Sequence, residues 1–220
     1  MRIHRRGPDS QRAGPKGKGK QSRVQGREGE EVESKPIAAG KSSFDLVDAE
    51  KVFTELKLNP GTAFLDVACG RGAYSLAASK YVGPEGHVYA VDLWEEGIAA
   101  LKKELAAKAI RNVSAHLADV SRHIPFADQS IDTCLLATVL HDLISIQRAE
   151  GTLSEIQRVM KAGGTLAVIE FKKIEGPPGP PIAIRITSEE LIRTCRPFAL
   201  APIKTLDVGP YTYLTLFTRG

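Results

Sequence analysis

From Phe44 onward, apolar residues recur along the chain with two alternating periods. Val47, Val52, Phe53 and Leu56 lie at helical spacing, and Asn59-Pro60-Gly61 is the turn signal that ends this helix. Residues 63–67 form a short apolar run of the kind that becomes a buried strand. A glycine-bearing turn follows, then a helical stretch over 73–81 that Gly83-Pro84-Glu85-Gly86 breaks. A second strand is predicted over 87–91. Ile98, Leu101 and Leu105 mark the apolar face of the next helix, with Glu95, Lys102, Lys103 and Glu104 on its wet side. Third and fourth strands follow over 113–117 and 131–136. Thr152-Leu153-Ser154-Glu155 has capping-box spacing and opens a helix with Leu153, Ile156, Val159 and Met160 on one side, ended by Gly163-Gly164. A fifth strand runs over 166–171. A second capping box, Thr187-Ser188-Glu189-Glu190, precedes a short helix containing Leu191 and Ile192. Two last strands, near 201–206 and 213–218, pair as a hairpin around Asp207-Val208-Gly209-Pro210.

Strands that alternate with helices imply βαβ crossovers, hence a mostly parallel sheet covered on both faces. The predicted fold is an α/β, Rossmann-like three-layer sandwich. Its seven-stranded, mostly parallel sheet carries an antiparallel strand from the C-terminal hairpin. In such sheets ligands bind beyond the carboxyl ends of the strands, at the switch in strand order.

Composition narrows the class. With 42% apolar and 25% charged residues among 220, the chain suits one ordinary globular domain. Its longest apolar runs fall far short of the roughly 18–20 residues that a bilayer helix needs. The basic N-terminus has no apolar segment behind it, so no secretory signal is read there. Cys69, Cys134 and Cys195 are too few and too scattered for a disulfide framework or a zinc site. The expectation is a cytoplasmic protein with no metal.

Charge divides the chain. Residues 1–27 hold nine Lys/Arg against the single acid Asp9, whereas the remainder holds 21 bases and 25 acids. Residues 1–41 are rich in Gly, Pro, Ser, Gln and charge, and are read as a disordered basic tail before a folded domain over 42–220. Such a tail is either an arm for nucleic acid or an anionic surface, or a solvated extension. With no aromatics to stack on bases, the extension is favoured.

Chemistry is sought after each strand. The first ends in Asp66-Val67-Ala68-Cys69-Gly70-Arg71-Gly72, whose glycines would let the backbone approach a ligand. Packing explains such a turn equally well. The second ends in Asp92, placed to accept both hydroxyls of a ribose or, more plainly, to cap the following helix. The third ends in Ala118-Asp119, where a carboxylate could accept from an exocyclic adenine amine. Three acids at successive strand ends weigh more than any one alone. A pyrophosphate cradle wants G-x-G-x-x-G, whereas here Ala68, Gly70 and Gly72 are followed by Tyr74-Ser75, and Asp66 would repel pyrophosphate. The carboxylate suits a nucleoside with a cationic, amino-acid-like tail, which describes S-adenosylmethionine.

These segments resemble the class I S-adenosylmethionine-dependent methyltransferases. Phe64 to Gly72 looks like their first motif, Val88-Tyr89-Ala90-Val91-Asp92 the second and Ala118-Asp119 the third. Residues 131–142 and 158–172 are similar to their strand-four and strand-five segments. The resemblance spans roughly 44–220 and is strongest to the branch of ubiquinone/menaquinone C-methyltransferases and small-molecule (type 11) methyltransferases. Two departures are Ala68, where many members have Gly, and Ala162, where a Lys-Pro-Gly-Gly turn has Pro. By this resemblance Asp66, Ala68, Gly70 and Gly72 cradle the methionine moiety. Asp92 takes the ribose, and Asp119 with Val120 takes the adenine. Leu93 or Trp94 packs on the adenine face, and Ala137 and Thr138 line the path near the sulfonium. The implied reaction leaves S-adenosylhomocysteine as product.

Methyl transfer needs a base only where the nucleophile carries a proton. His141 and Asp142 after strand four, with Glu170 and Lys172 after strand five, are the candidate catalytic residues. His141 is the first choice of base, against a structural role at a loop junction. Glu170 and Lys172 share a strand face and either orient substrate or pair with each other. Gly176-Pro177-Pro178-Gly179-Pro180-Pro181 is either a cover on the substrate cavity or a connector. A trithiolate metalloid site built from the cysteines is less favoured than small buried hydrophobes. The expected acceptor is an unidentified small molecule rather than nucleic acid, since Thr138-Val139-Leu140-His141 replaces the Asn/Asp-Pro-Pro-aromatic run of amino-methyltransferases acting on nucleic acids. A homodimer is left open. The competing readings are a nicotinamide-dependent oxidoreductase and a catalytically silent S-adenosylmethionine-binding regulatory protein.

Overall fold

The computed structural model describes residues 39–176 and 178–220. The tail read over 1–41 lies outside these residues up to position 38. Gly40 already belongs to the fold, because a Cβ built on it would stand 3.4 Å from the Trp94 ring.

Seven strands build the sheet: β1 (Ala63–Val67), β2 (His87–Asp92), β3 (Val113–Leu117), β4 (Ile131–Ala137), β5 (Met160–Phe171), β6 (Leu200–Asp207) and β7 (Thr212–Arg219). Six helices flank them: α1 (Ala49–Leu56), α2 (Ala73–Val82), α3 (Glu95–Ala107), α4 (Leu140–Ser145), α5 (Ala149–Val159) and α6 (Ser188–Cys195). The strand order is β3-β2-β1-β4-β5-β7-β6, parallel except for β7, which runs antiparallel between β5 and β6. The chain builds outward from β1 to β3, then returns so that β4 lies on the free side of β1, with Leu65 beside Tyr89 and Cys134. The expected sandwich is the observed one.

Strand periodicity sends alternate side chains to two cores. On one face Phe64, Val88, Leu135 and Ile169 meet α1, α2 and α3 through Phe53, Ala78 and Leu101. On the other, Leu65, Val91, Leu136 and Val168 meet α4, α5 and α6 through Leu140, Leu153 and Leu191. The cysteines are divided between these faces, Cys134 and Cys195 with the second and Cys69 with the first. They cannot share a metalloid.

Three local expectations are corrected. α5 begins at Ala149, so Thr152 is inside it, donating its hydroxyl to the Arg148 carbonyl at 3.0 Å rather than capping the helix. The helix stops at Val159, before Gly163-Gly164. The glycine pair falls where β5 shifts register against β4, and a Cβ on Gly164 would lie 2.8 Å from the Lys161 carbonyl oxygen. α4 is an additional helix, too short for its apolar period to stand out. The second capping box forms as read: Thr187 Oγ1 accepts from the Glu190 N–H at 3.2 Å, and the Glu190 carboxylate accepts from the Thr187 N–H at 2.7 Å. Among the described residues no helix is long and apolar enough to cross a membrane.

Candidate functional site

The candidate site is built at the carboxyl ends of β1, β2 and β4, where the strand order switches. Its floor is the turn from β1 to α2. Ala68, Gly70 and Gly72 all take positive φ, at 57°, 58° and 76°. A Cβ on Gly72 would sit 2.6 Å from the Leu101 side chain, so only glycine lets α2 and α3 pack there. A Cβ on Gly70 would meet nothing within 4 Å, so this backbone borders open space. Ala68 keeps its methyl in a left-handed conformation that costs about 1–2 kcal/mol for an L-residue.

The three strand-end acids differ in state. Asp66 is 2% exposed and accepts the Ser75 hydroxyl at 2.5 Å. Burial, reinforced by the charge of Asp92, pushes its pKa up to about 7. Asp92 accepts the Gly70 N–H on Oδ2 and the Trp94 N–H on Oδ1, each at 2.7 Å, and so clamps the glycine turn to the end of β2. Burial raises its pKa too, and each oxygen keeps a lone pair for a hydroxyl donor. These two buried carboxylates fit a ligand bearing an ammonium and a diol.

Asp119 is different. Its Oδ1 accepts the Ser121 N–H at 3.0 Å and the Ser121 hydroxyl at 2.6 Å, while Oδ2 pairs with Arg148 at 2.5 Å. Arg122 Nε adds a contact at 3.4 Å. Burial works against its ionisation, but the Ser121 and Arg148 contacts outweigh it and hold its pKa below the usual range. Its acceptor capacity is taken up by its own neighbours. Beside it Val120 is buried, and Leu93, directly after Asp92, is 47% exposed. Trp94 is buried, with the Arg71 guanidinium 5.4 Å above its ring.

Ala137 ends β4, and Thr138 follows at φ 52°. The Thr138 hydroxyl donates to Ser43 Oγ at 2.9 Å, and Ser43 Oγ lies 3.0 Å from Tyr74 Oη. The N-terminal segment thus bridges α2 and the β4–α4 turn.

One helical turn on, α4 presents His141 and Asp142. His141 is 4% exposed, with Nδ1 2.7 Å from Oε2 of the fully buried Glu170 and Nε2 3.5 Å from Asp142 Oδ2. Glu170 Oε1 also accepts the His141 N–H at 3.1 Å. Burial disfavours the imidazolium, but the Glu170 hydrogen bond and charge prevail and raise the His141 pKa above its ordinary 6.5. A cavity of about 220 Å³ lies beside this pair, lined by His141, Ile144, Lys173, Ile184, Arg185 and Glu190. Glu170 and Lys172 do not pair with each other: Lys172 bonds Asp207, at the end of β6, at 2.8 Å.

Sequence reasoning passed over Ser43, Tyr74, Arg148 and Arg185. Arg185 did carry a signal, a lone cation inside the apolar run Ile182-Ala183-Ile184-Arg185-Ile186 directly after the proline-rich segment.

Similar proteins identify the family. A family model described as a methyltransferase domain matches residues 58–196. A demethylmenaquinone methyltransferase of Symbiobacterium thermophilum is 31% identical over 162 residues, 71% of this chain and 61% of that protein. A ubiquinone/menaquinone biosynthesis C-methyltransferase of Cupriavidus metallidurans is 36% identical over 129 residues, 58% of this chain and 51% of that protein. The chain thus spans little more than half the length of these relatives. The crystal structure of a SAM-dependent methyltransferase from Aquifex aeolicus superposes with a TM-score of 0.75 at 29% identity, covering 83% of this chain and 95% of that one.

Proposed function

The chain belongs to the methyltransferase-domain family, and from that premise we propose that it transfers a methyl group from S-adenosylmethionine to a small neutral acceptor bearing a dissociable proton. When bound, this cofactor supplies an electrophilic methyl group on a sulfonium. Asp66 would hold the ammonium of its amino-acid end, and Asp92 the ribose hydroxyls. Leu93 and Val120 would border the adenine, with Asp119 shaping that pocket through Ser121 and Arg148 rather than through a free carboxylate. Ala137 and Thr138 would line the path between cofactor and acceptor.

The observation that carries the catalytic reading is the His141–Glu170 pair beside the cavity. Glu170 accepts from Nδ1–H and so fixes the tautomer that leaves Nε2 with its lone pair. Nε2 would take the proton that the acceptor atom gives up on methylation. Glu170 and Asp142 then face the imidazolium. The cavity favours an uncharged acceptor, because Lys173 is paired with Glu190 at 3.2 Å. The cysteines are free, which supports work in a reducing compartment such as the cytoplasm.

Calorimetric titration with S-adenosylhomocysteine and, separately, NAD⁺ tests the cofactor. Micromolar binding of the first alone, about −8 kcal/mol, is expected. Binding of NAD⁺ alone would return the oxidoreductase reading. Cofactor binding without transfer to any acceptor in a labelled-methyl screen would favour the silent regulatory protein, which has no need of a buried His–Glu pair.

A further inference from the structure

Arg185 is 3% exposed, and none of the ion pairs among the described residues includes it. Its guanidinium donates to five backbone carbonyls instead. Nε reaches Pro180 at 2.9 Å. Nη1 reaches Lys172 at 3.2 Å and Ile174 at 2.9 Å, and Nη2 reaches Gly176 at 2.9 Å and Pro178 at 3.1 Å. Five N–H donors meet five acceptors, supplied by every second residue from 172 to 180. The period of two is that of extended backbone, and the positive φ of Gly176 (98°) and Gly179 (112°) curls it so that alternate carbonyls point inward. Proline suits the turns of this curl because it offers a carbonyl without an N–H that would itself need a partner.

The curled segment is fixed against the site. A Cβ on Gly179 would lie 2.7 Å from the Phe171 ring, so the backbone rests on that ring. Phe171 in turn meets the His141 imidazole edge-on, with centroids 6.3 Å apart, and Arg185 stands 5.7 Å above the same ring. Arg185, Lys173 and His141 share one cavity wall.

We propose that Arg185 is a positioning residue of the acceptor site: it gathers Lys172, Ile174, Gly176, Pro178 and Pro180 into a fixed strap that, through Phe171, sets the space and orientation available beside His141. The proposal rests on the reading of that cavity as the acceptor site. With every N–H committed to the strap, Arg185 binds no substrate anion. Its charge has a second effect. The groups that face His141 are Glu170 from β5, Asp142 from α4 and Arg185 from the segment after the strap, with Lys173 and Glu190 lining the same cavity. Arg185 is the cation that opposes protonation of His141.

Hydrogen–deuterium exchange over 172–185 and the NMR titration of His141, on full-length protein, test this without any acceptor. Arg185→Gln is expected to speed exchange of the strap about tenfold or more and to move the His141 midpoint upward. Arg185→Lys keeps the charge but has three donors for five carbonyls, so strap exchange should rise while His141 titrates as in wild type. Should Arg185→Gln not fold, Arg185→Lys decides alone. Strap exchange equal to wild type in either folded variant overturns the proposal. Neither reading needs cofactor, so a wild-type protein that binds no S-adenosylhomocysteine would count against the proposed function and leave these measurements to decide the role of Arg185.

Discussion

His141 Nδ1 and Glu170 Oε2 stand 2.7 Å apart with both side chains almost wholly buried, and this one contact ties the end of β5 to α4 beside the cavity. A buried carboxylate that accepts both the ring N–H and the backbone N–H of one histidine leaves its imidazole a single orientation. The opposite nitrogen, Nε2, faces Asp142 Oδ2 at 3.5 Å.

That pairing has a pH signature. The folded pKa of His141 lies above its ordinary 6.5, so the stability it contributes is fully present below that value and is lost as pH rises through the folded one. Glu170→Gln keeps a hydrogen-bond acceptor and removes the charge. It should cost roughly 1–3 kcal/mol at pH ~5.5 and less above pH ~9, read by denaturant unfolding at the two values. A pH-independent cost would remove the ion pair from the account. His141→Ala should bind S-adenosylhomocysteine normally and lose methyl transfer; full turnover would exclude it as the base.

Asp66 follows the same sign for a different reason, burial rather than a charged partner. Its folded pKa of about 7 lies above the ordinary 3.8, so its contribution to stability is complete below 3.8 and declines as pH rises through about 7. A ligand ammonium placed beside it favours the ionised form. Binding of S-adenosylhomocysteine near pH 6 should therefore release a proton, and affinity should rise from pH ~5.5 to pH ~8. Calorimetry in buffers of different ionisation enthalpy reads the proton directly. Asp66→Asn should abolish the release, and proton uptake in wild type would place the ammonium elsewhere.

For Asp92 the effect is larger and combines two losses. Asp92→Ala removes the acceptor for the ribose hydroxyls and frees the Gly70 and Trp94 N–H groups that hold the turn. S-adenosylhomocysteine affinity should fall at least tenfold, about 1.4 kcal/mol or more, with a similar loss of unfolding free energy. Unchanged affinity in the calorimeter would sink the ribose assignment.

Ala68 takes a left-handed φ of 57°, a conformation that suits glycine better than alanine. Ala68→Gly removes strain of about 1–2 kcal/mol and adds unfolded-state entropy worth about 0.4–1 kcal/mol. A net gain of roughly 0.5 kcal/mol, one or two degrees in Tm, should appear in a thermal scan. A loss of stability would mean that the methyl group packs usefully where it is.

Most of the scaffold was legible because burial on both faces of a parallel sheet writes itself into short apolar runs. The spans read for β1 and β3 coincide with the strands, and the Thr187 capping box forms with both of its bonds. α4 was not legible, since six residues give too few turns for a period. Thr152 misled because a threonine one turn inside a helix mimics the local spacing of a cap while its hydroxyl bonds backward. Within the site, Asp66, Asp92 and His141 announced themselves by type and by place at strand ends. Their states did not, because the depth of Asp66 and the partner of Asp119 depend on side chains far away in sequence, Arg148 among them. The Arg185 strap is of that second kind: its acceptors are backbone carbonyls, which look the same in every sequence.

The placement of β7 between β5 and β6 constrains the order in which the chain can assemble. β6 precedes β7 in sequence, yet among the described residues its only neighbour in the sheet is β7. As the chain leaves the ribosome, β6 emerges with nothing to pair to and must wait for Thr212–Arg219. β5, which bears Glu170, is likewise bare along one edge until then. The sheet from β1 to β4 can condense early, whereas the β5 edge beside Glu170 closes only with the last strand. A nascent chain stalled between the two would be expected to order Asp66 and Asp92 before that edge is covered.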